Sequence, residues 1–259
     1  MDLNIAGKQA LVCGASKGLG FACARALVQE GVNVTLVART ESTLQQAAEN
    51  LQAIAAGNVQ YVVADVTTPE GRERALQACR QVDILVNNAG GPPPGDFRQW
   101  SLEDWAKALN DNMLSAIELI RLTLDPMIQN RFGRIVNITS SAVKAPIAVL
   151  GLSNGARAGL TGFVAGLARD VAQHNVTINN LLPGFFDTDR LSNTLNYMAQ
   201  QAGTQVDGFR QQHQQTIPAH RYGKPEEFGM MCASLCSAHA GYLTGQNILL
   251  DGGFYPGTF

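Results

Sequence analysis

Three glycines in the stretch GASKGLG, residues 14–20, have the types and spacing of a phosphate-binding turn. Gly14, Gly18 and Gly20 follow an apolar run and precede a helical pattern. Glycines let the backbone turn tightly and approach a pyrophosphate, while a helix N-terminus offers free N–H groups and the positive end of its dipole. Because this turn follows the first apolar run of an alternating chain, it predicts a dinucleotide site.

The end of the second apolar run indicates which dinucleotide binds. Ala38 stands where a carboxylate would hold the ribose hydroxyls of NAD(H), Arg39 follows it, and Lys17 lies inside the glycine turn. Two cations without a carboxylate suit a ribose that carries a 2′-phosphate. We therefore predict NADP(H). Glu41 is an alternative acceptor for a plain ribose, although acidic residues are common in the first turn of a helix.

The cysteines and histidines do not have the spacing of a metal site. The five cysteines are scattered and mostly lie inside apolar runs, and the four histidines form no ligand pattern with them. Cys232 and Cys236 would share one helix face, which could indicate a metal or redox pair. The same placement also suits two small core residues in a reducing compartment. We predict core thiols and no metal.

Apolar runs alternate with amphipathic stretches along most of the chain, and these elements must position the glycine turn. The runs read as strands are QALVC, VNVTLVA, VQYVVA, VDILVN, RIVNIT, VTINNLL and NILL. The helical patterns between them lie at about 18–30, 41–55, 70–80, 102–129, 154–174 and 225–236. Continuously apolar strands separated by helices indicate a parallel sheet covered on both faces. The prediction is one α/β domain over residues 1–259, a doubly wound sheet of about seven strands.

Two segments interrupt this alternation, each directly after a strand pattern. Residues 90–97, GGPPPGDF, form a Gly/Pro loop, and residues 184–218 form a connection that is long for a compact domain. Open α/β sheets bind ligands at the carboxyl ends of their strands. We predict that 184–218 is a substrate lid loop; a surface insertion is the alternative.

Charge and hydropathy argue against two classes of partner. A net charge of −2 gives no electrostatic reason to expect nucleic acid or an anionic membrane. No apolar run approaches the roughly 18 residues of a membrane span, and the start MDLNIAGKQALVCG has no signal-peptide pattern. We expect a soluble, cytoplasmic protein.

Seven motifs in order give the chain a family resemblance over nearly its whole length. They are GASKGLG (14–20), ADV (64–66), NNAG (87–90), WAKALNDN (105–112), IVNITSS (135–141), LLPGFFDT (181–188) and TGQNILLDGG (244–253). With these motifs the chain resembles the short-chain dehydrogenase/reductase family, in its 3-oxoacyl-acyl-carrier-protein-reductase-like branch. The resemblance implies a Rossmann-type fold and hydride transfer between a nicotinamide and a carbonyl or alcohol carbon.

The resemblance also implies site residues. Asp65 and Val66 would flank the adenine, Asn88 and Gly90 would shape the cofactor channel, and Thr188 would bond the carboxamide. The full cofactor set that it implies is Gly14, Ser16, Lys17, Gly18, Leu19, Gly20, Arg39, Asp65, Val66, Asn88, Gly90, Arg157, Pro183, Gly184 and Thr188. Asn112 and Ser140 match catalytic positions of the family, and Ser153 and Arg157 stand at two more. Lys144 is a further catalytic candidate because it lies four residues after Ser140.

Two of these positions depart from the family pattern. The family has a proton-donating Tyr thirteen residues after the Ser that corresponds to Ser140, and a Lys four residues later; here these positions hold Ser153 and Arg157. An aliphatic hydroxyl is shorter than a phenol and far less acidic, and a guanidinium does not give up its proton. The cofactor half of the site is therefore retained, and the proton-donating half is not.

Three functions remain open at this stage. The first is NADP(H)-dependent reduction of a carbonyl, with the proton supplied by Lys144, by Tyr197, or by a water held between Asn112 and Ser153. The second is isomerase or elimination chemistry, with an enolate stabilised by preorganised donors and the nucleotide as a structural part. The third is a catalytically silent NADP(H)-binding sensor or partner subunit, since a fold alone does not fix a function.

The lid suggests an apolar substrate site, which includes Phe185, Phe186 and Tyr197. Arg190 and Arg210 could meet an acyl-carrier or coenzyme A phosphate, so a 3-oxoacyl thioester and a small ketone fit equally well. By analogy with the family we expect a homo-oligomer, a dimer or tetramer. Four glycines of the 154–174 helix would permit close approach of a partner: Gly155, Gly159, Gly162 and Gly166.

Overall fold

A computed structural model describes residues 2–258 of the chain and shows a seven-stranded parallel sheet in the order β3-β2-β1-β4-β5-β6-β7. The strands are β1 Gln9–Cys13, β2 Asn33–Ala38, β3 Val59–Val63, β4 Ile84–Asn87, β5 Gly133–Ile138, β6 Val176–Pro183 and β7 Asn247–Leu250. The strand order reverses between β1 and β4, and the crevice at such a switch point is where open α/β sheets bind ligands. The predicted Rossmann-type fold is confirmed.

Helices cover both faces of this sheet. They are α1 Gly18–Gln29, α2 Glu41–Gln52, α3 Pro69–Ala78, α4 Leu102–Leu109, α5 Ser115–Gln129, α6 Gly151–Val171, α7 Asp189–Gln201, α8 Val206–Gln215 and α9 Pro225–Cys236. One core lies under α1, α2 and α9, and the other lies under α3, α5 and α6. Because side chains alternate along a strand, β1 contributes Ala10 and Val12 to the first core and Leu11 and Cys13 to the second.

Three predicted elements differ from the structure. The pattern at 102–129 is interrupted by a π-helical segment, Asn110–Leu114, which joins α4 to α5. The long helix begins at Gly151, three residues earlier than predicted. The 184–218 segment is not a loop, since it folds mainly as α7 and α8; the small apolar faces of these helices pack against the chain around Ile217 and Tyr222.

The glycines of α6 have two different environments. A Cβ on Gly155 would lie 3.1 Å from the Trp105 ring, and one on Gly159 would lie 2.8 Å from the Met113 sulfur. These two glycines admit side chains of the same chain, so assigning them to a partner contact was wrong. Gly162 and Gly166 face open space.

All five cysteines are buried and free. Burial raises the pKa of the Cys13 thiol to about 12, and the pKa of Cys232 and of Cys236 is also raised. Thiols of this kind are inert core groups. Between residues 2 and 258, no cluster of three or more His, Cys, Asp or Glu side chains has a metal-binding arrangement. No helix in that range combines the length and apolarity that a bilayer span requires.

Candidate active site

The glycine turn is tightly fitted to the loop after β4. Asn88 Nδ2 donates to the Gly14 carbonyl oxygen at 3.3 Å, and Gly14 has a φ of 58° that favours glycine. A Cβ on Gly20 would lie 2.3 Å from that same carbonyl oxygen and 2.7 Å from Asn88 Nδ2. Only glycine therefore lets the turn close here, with the N-terminus of α1 directed at the crevice. Ser16 and Leu19 lie in this turn and are partly buried.

The predicted 2′-phosphate cations lie at the open edge of the crevice. Lys17 Nζ contacts Asp189 at 2.6 Å, and Arg39 Nη1 is 3.9 Å from Asp65; both cationic side chains are 70% exposed. Burial alone would raise the pKa of Asp65, but hydrogen bonds from Thr67 and the nearby charges outweigh it and lower the pKa. Arg39 remains free to meet an anion from solvent.

The loops after β4 and β6 face each other across the crevice. A Cβ on Gly90 would meet no atom of residues 2–258 within 4 Å, so this position borders open space, where a nucleotide fits. Pro183 ends β6, and a Cβ on Gly184 would lie 2.6 Å from Asp251 Cβ. Thr188 caps α7, and its methyl group would lie 3.7 Å from a Cβ on Gly18. Val66 lies deeper and packs against the second core.

Ser140 lies directly beyond β5 and has an uncommitted hydroxyl proton. Its Oγ accepts a hydrogen bond from the Ala142 N–H at 3.1 Å and so caps a short 3₁₀ turn. Among the described residues its O–H has no acceptor, and the side chain is only half-buried. A hydroxyl held in this way can donate to a substrate oxygen at the carboxyl edge of the sheet.

Arg157 and Ser153 bind each other on α6. Arg157 Nε donates to Ser153 Oγ at 3.2 Å, and its terminal nitrogens donate to the carbonyls of Ile138 at 2.6 Å and Ala89 at 3.4 Å. The guanidinium thus joins the carboxyl ends of β4 and β5. Burial lowers the pKa of Arg157 to about 10, with a smaller contribution from Arg190. It is therefore charged at neutral pH.

Asn112 lies on the π-helical segment and lines a small cavity beside Arg157. Its Nδ2 donates to the Ala108 carbonyl at 3.4 Å, while its Oδ1 is buried and accepts no hydrogen bond from the protein. The Asn87 side-chain oxygen is in the same situation, and the cavity of about 20 Å³ has room for one water. Asn112 and Arg157 line this cavity, whereas Ser153 is not one of its lining residues and accepts a hydrogen bond from Arg157 Nε.

Four asparagines form a ladder across the strands that carry the site. Asn87, Asn137, Asn180 and Asn247 occupy one register position on β4 to β7. The side-chain amides of the first three each donate to the side-chain oxygen of the next, at 2.9, 3.0 and 2.8 Å. Buried amides are costly unless hydrogen-bonded, so this ladder holds the register of β4 to β7.

The two predicted proton donors lie near the crevice without a described bond to Ser140. Lys144 Nζ lies over the Tyr255 ring, 5.6 Å from its centroid, so the C-terminal tail borders the substrate side. Tyr197 is half-buried on α7, off the face formed by Leu191 and Leu195.

The lid residues predicted to contact substrate have different positions. Phe186 is buried and packs edge-on against Phe228, so assigning it to the substrate site was wrong: it belongs to the core under α9. Phe185 is partly buried and contacts Phe254 and His213. Arg210 pairs with Asp187, whereas Arg190 donates to the carbonyl oxygens of the loop after β4.

The structure therefore brings together the glycine turn, Asn88, Gly90, Ser140, Arg157 and Asn112 around the strand ends. Sequence reasoning missed the asparagine ladder, although an Asn inside each of four apolar runs was a visible signal. It also missed that Arg190 reaches across the crevice, because no local pattern reveals the distance between two loops.

Comparison with known sequences supports one family for this arrangement. The model of the short chain dehydrogenase family matches residues 8–198. The 3-oxoacyl-[acyl-carrier-protein] reductase FabG of Vibrio cholerae is 35% identical over 259 residues, which cover 98% of this chain and 99% of that protein. The FabG of Escherichia coli is 34% identical with the same coverage.

Solved structures give the same result. The L-sorbose reductase of Gluconobacter frateurii, crystallised with NADPH and L-sorbose, has a TM-score of 0.93 and 30% identity, and covers 99% of this chain and 100% of its own. YwfH, an NADPH-dependent reductase involved in bacilysin biosynthesis, has a TM-score of 0.89 and 28% identity, with 97% and 100% coverage. The chain therefore belongs to the short-chain dehydrogenase family of oxidoreductases.

Proposed function

We propose that this protein is an NADP(H)-dependent reductase that converts a carbonyl to an alcohol with a proton donor other than the family Tyr. The observation that supports it most is Ser140, whose hydroxyl proton is uncommitted at the carboxyl edge of the sheet, beside an intact nucleotide cradle. The relatives named as 3-oxoacyl-[acyl-carrier-protein] reductases and the L-sorbose reductase with bound NADPH point to the same chemistry.

The residues present suit the cofactor. Gly14, Gly18 and Gly20 leave the backbone free to approach the pyrophosphate, and Gly90 borders space that no protein atom fills. Arg39 and Lys17 would hold the 2′-phosphate. When bound, the nicotinamide supplies a hydride to the substrate carbon.

The protein must orient the carbonyl and protonate its oxygen. Ser140 donates to the carbonyl oxygen and stabilises the negative charge that develops there. The product alkoxide takes one proton, for which Lys144 is the leading donor because it lies four residues beyond Ser140 on the same loop. Tyr197 and the water position beside Asn112 are the alternatives. Candidate substrates are a 3-oxoacyl thioester and a small ketone.

Isotope transfer tests this function. Protein incubated with NADPH deuterated at C4 and a small-molecule extract of the source cells is expected to yield alcohols enriched in deuterium by mass spectrometry. A parallel calorimetric titration establishes that NADPH binds. Binding without any enriched product would contradict the reductase and favour the isomerase or the sensor, and conversion of a substrate without consumption of NADPH would identify the isomerase.

The cofactor preference gives a first mutational prediction. Arg39→Leu should reduce the preference for NADPH over NADH by roughly tenfold or more, because a charge-assisted hydrogen bond to phosphate is lost. Dissociation constants for both nucleotides, measured by fluorescence titration, check this. Arg74→Leu, a change at another exposed arginine, is the control and should leave the ratio unchanged. An unaltered ratio in Arg39→Leu would contradict the role of Arg39.

We also propose that the protein is a homo-oligomer that associates through α5 and α6. Leu122 and Phe163 are exposed on these helices, at 39% and 37%, and Gly162 and Gly166 leave open space beside them. Phe163→Asp should shift the protein to smaller species in size-exclusion chromatography with light scattering, since burying a lone charge is costly.

Ile54→Asp is the matched control for this prediction, because Ile54 is equally exposed but follows α2 on another part of the surface. It should leave the mass unchanged. A parent protein that elutes as a monomer, or a Phe163→Asp variant with the parent mass, would contradict this interface.

A further inference from the structure

Two guanidinium groups from opposite sides of the crevice meet at Gly91. A methyl group on Gly91 would lie 3.1 Å from Arg190 Nη2 and 3.7 Å from Arg157 Nη2. Arg190 reaches this point from the first turn of α7, and donates to the carbonyl oxygens of Gly91 at 3.3 Å and Pro92 at 2.7 Å. Arg157 reaches it from α6. One atom-sized position is thus bordered by two positive charges.

Arg157 has donors that the protein does not use. Its residue surface is 8% exposed, yet it makes three hydrogen bonds, to one hydroxyl and two carbonyls. A guanidinium has five N–H donors. Within residues 2–258 no carboxylate lies within ion-pair distance of Arg157 or of Arg190, although eight other ion pairs are present.

Arg134 shows what a purely structural arginine looks like in this chain. It is fully buried and donates five hydrogen bonds, all to oxygens of Gly133, Asn175, Ser237 and Ala238. Arg157 is nearly as buried but makes fewer hydrogen bonds, and the charge that adds to the lowering of its pKa by burial belongs to another cation, Arg190. Buried charges are ordinarily paired, so Arg157 calls for an anion, which the exposed guanidinium of Arg190 beside it would also attract.

The anchoring of Arg157 indicates which anion fits. The pyrophosphate has its own cradle in the glycine turn and at the N-terminus of α1. Arg157 instead bonds Ile138, two residues before Ser140, so the two guanidiniums lie on the side where the carbonyl is oriented. Paired guanidiniums at a crevice suit a planar carboxylate.

We infer that Arg157 and Arg190 form a clamp for the carboxylate of the substrate, so that the reductase acts on oxo acids. This inference rests on the proposed function and narrows its substrate class. Arg190 belongs to the lid, and its bonds to the loop after β4 hold the lid over the site. A bound carboxylate would replace those carbonyls and bring the lid, the loop and α6 onto one ligand.

Binding to a protein that cannot turn over tests the clamp. Protein saturated with NADP⁺ is titrated calorimetrically with pyruvate, acetoacetate and levulinate, and with the amide of each acid. At least one acid should bind about tenfold or more tightly than its amide, because a charge-assisted pair is lost in the amide. In Arg190→Met this preference should fall to within about twofold.

Two further variants make the result specific. Gly91→Ala, which places a methyl group between the guanidiniums, should also reduce the preference. Arg210→Met is the matched control, because Arg210 is a lid arginine that already pairs with Asp187, and it should keep the parent preference.

Two outcomes would overturn the inference. In the first, the parent binds acids and amides alike; a tenfold weaker NADPH affinity in Arg190→Met would then identify a cofactor phosphate as the anion. In the second, the preference persists in both Arg190→Met and Gly91→Ala. A carboxylate preference without deuterium transfer would support the clamp and contradict the reductase. Deuterium transfer to neutral ketones alone would support the reductase and contradict the carboxylate clamp.

Discussion

Gly20→Ala is expected to abolish nucleotide binding, with the dissociation constant for NADPH raised by roughly 100-fold or more. The added Cβ would lie 2.3 Å from the Gly14 carbonyl oxygen, which is backbone and cannot rotate away. The turn must therefore open, and the N–H groups at the start of α1 lose their common direction. Overpacking of this kind also destabilises the fold by roughly 1–3 kcal/mol, which thermal unfolding would report.

Gly90→Ala separates the loss of binding from the loss of stability. Its Cβ meets no protein atom within 4 Å, so the fold should keep its melting temperature. If the nucleotide fills that space, NADPH binding should still weaken by about tenfold or more. Fluorescence titration measures binding, and calorimetric unfolding measures stability.

Gly208→Ala is the matched control for both variants. Gly208 lies on the lid helix α8 in open space, so alanine should leave NADPH affinity unchanged and stabilise the helix by up to about 1 kcal/mol. Parent-like affinity in Gly90→Ala would mean that the nucleotide does not pass this loop. Parent-like affinity in Gly20→Ala would contradict the glycine turn as the phosphate site.

The sheet could be predicted from the sequence because its strands are buried on both faces. Runs such as VDILVN and VTINNLL are apolar without alternation. Helical patterns lie between the runs, and crossover connections between parallel strands are almost always right-handed. The glycine turn was likewise predictable, since its function depends on backbone conformation that glycine alone adopts freely. Both features are encoded in neighbouring residues.

The lid shows where such local reasoning ends. Residues 184–218 lack a continuous apolar stripe, because α7 buries only three residues and α8 buries none. A helix with so narrow an apolar face has almost the same composition as a polar loop, so its sequence does not distinguish the two. Phe186 was assigned to the substrate for the same reason: whether an aromatic side chain after a strand faces the crevice or the core depends on Phe228, which is distant in sequence.

The consequences of replacing the family Tyr and Lys also required the structure. The family resemblance, with its spacing counted from Ser140, identified Ser153 and Arg157 as the replacements. It did not show that Arg157 donates to Ser153, or that Arg157 also donates to carbonyl oxygens at the ends of β4 and β5. An arginine has several donors in fixed directions, whereas a lysine has one compact ammonium group. Arg157 can therefore donate to two backbone carbonyls and also lie near the Arg190 guanidinium. These contacts depend on distances between separate elements, which the sequence does not give.

Ser140→Ala is expected to lower kcat by roughly 100- to 1,000-fold with little change in NADPH affinity, once a substrate has been found by deuterium transfer. In the proposed mechanism its hydroxyl donates to the oxygen on which charge develops in the transition state, and removing one such donor has an effect of this size. Single-turnover kinetics measure the rate, and NADPH titration measures the affinity.

Ser141→Ala is the matched control, because Ser141 is the next residue on the same 3₁₀ turn and its side chain makes no described hydrogen bond. It should retain the parent rate. The same assay identifies the proton donor: Lys144→Ala should reduce the rate if Lys144 protonates the alkoxide, Tyr197→Phe if the lid phenol does so, and Asn112→Ala if the enclosed water is required. A parent-like rate in Ser140→Ala would contradict the proposed mechanism at its central residue.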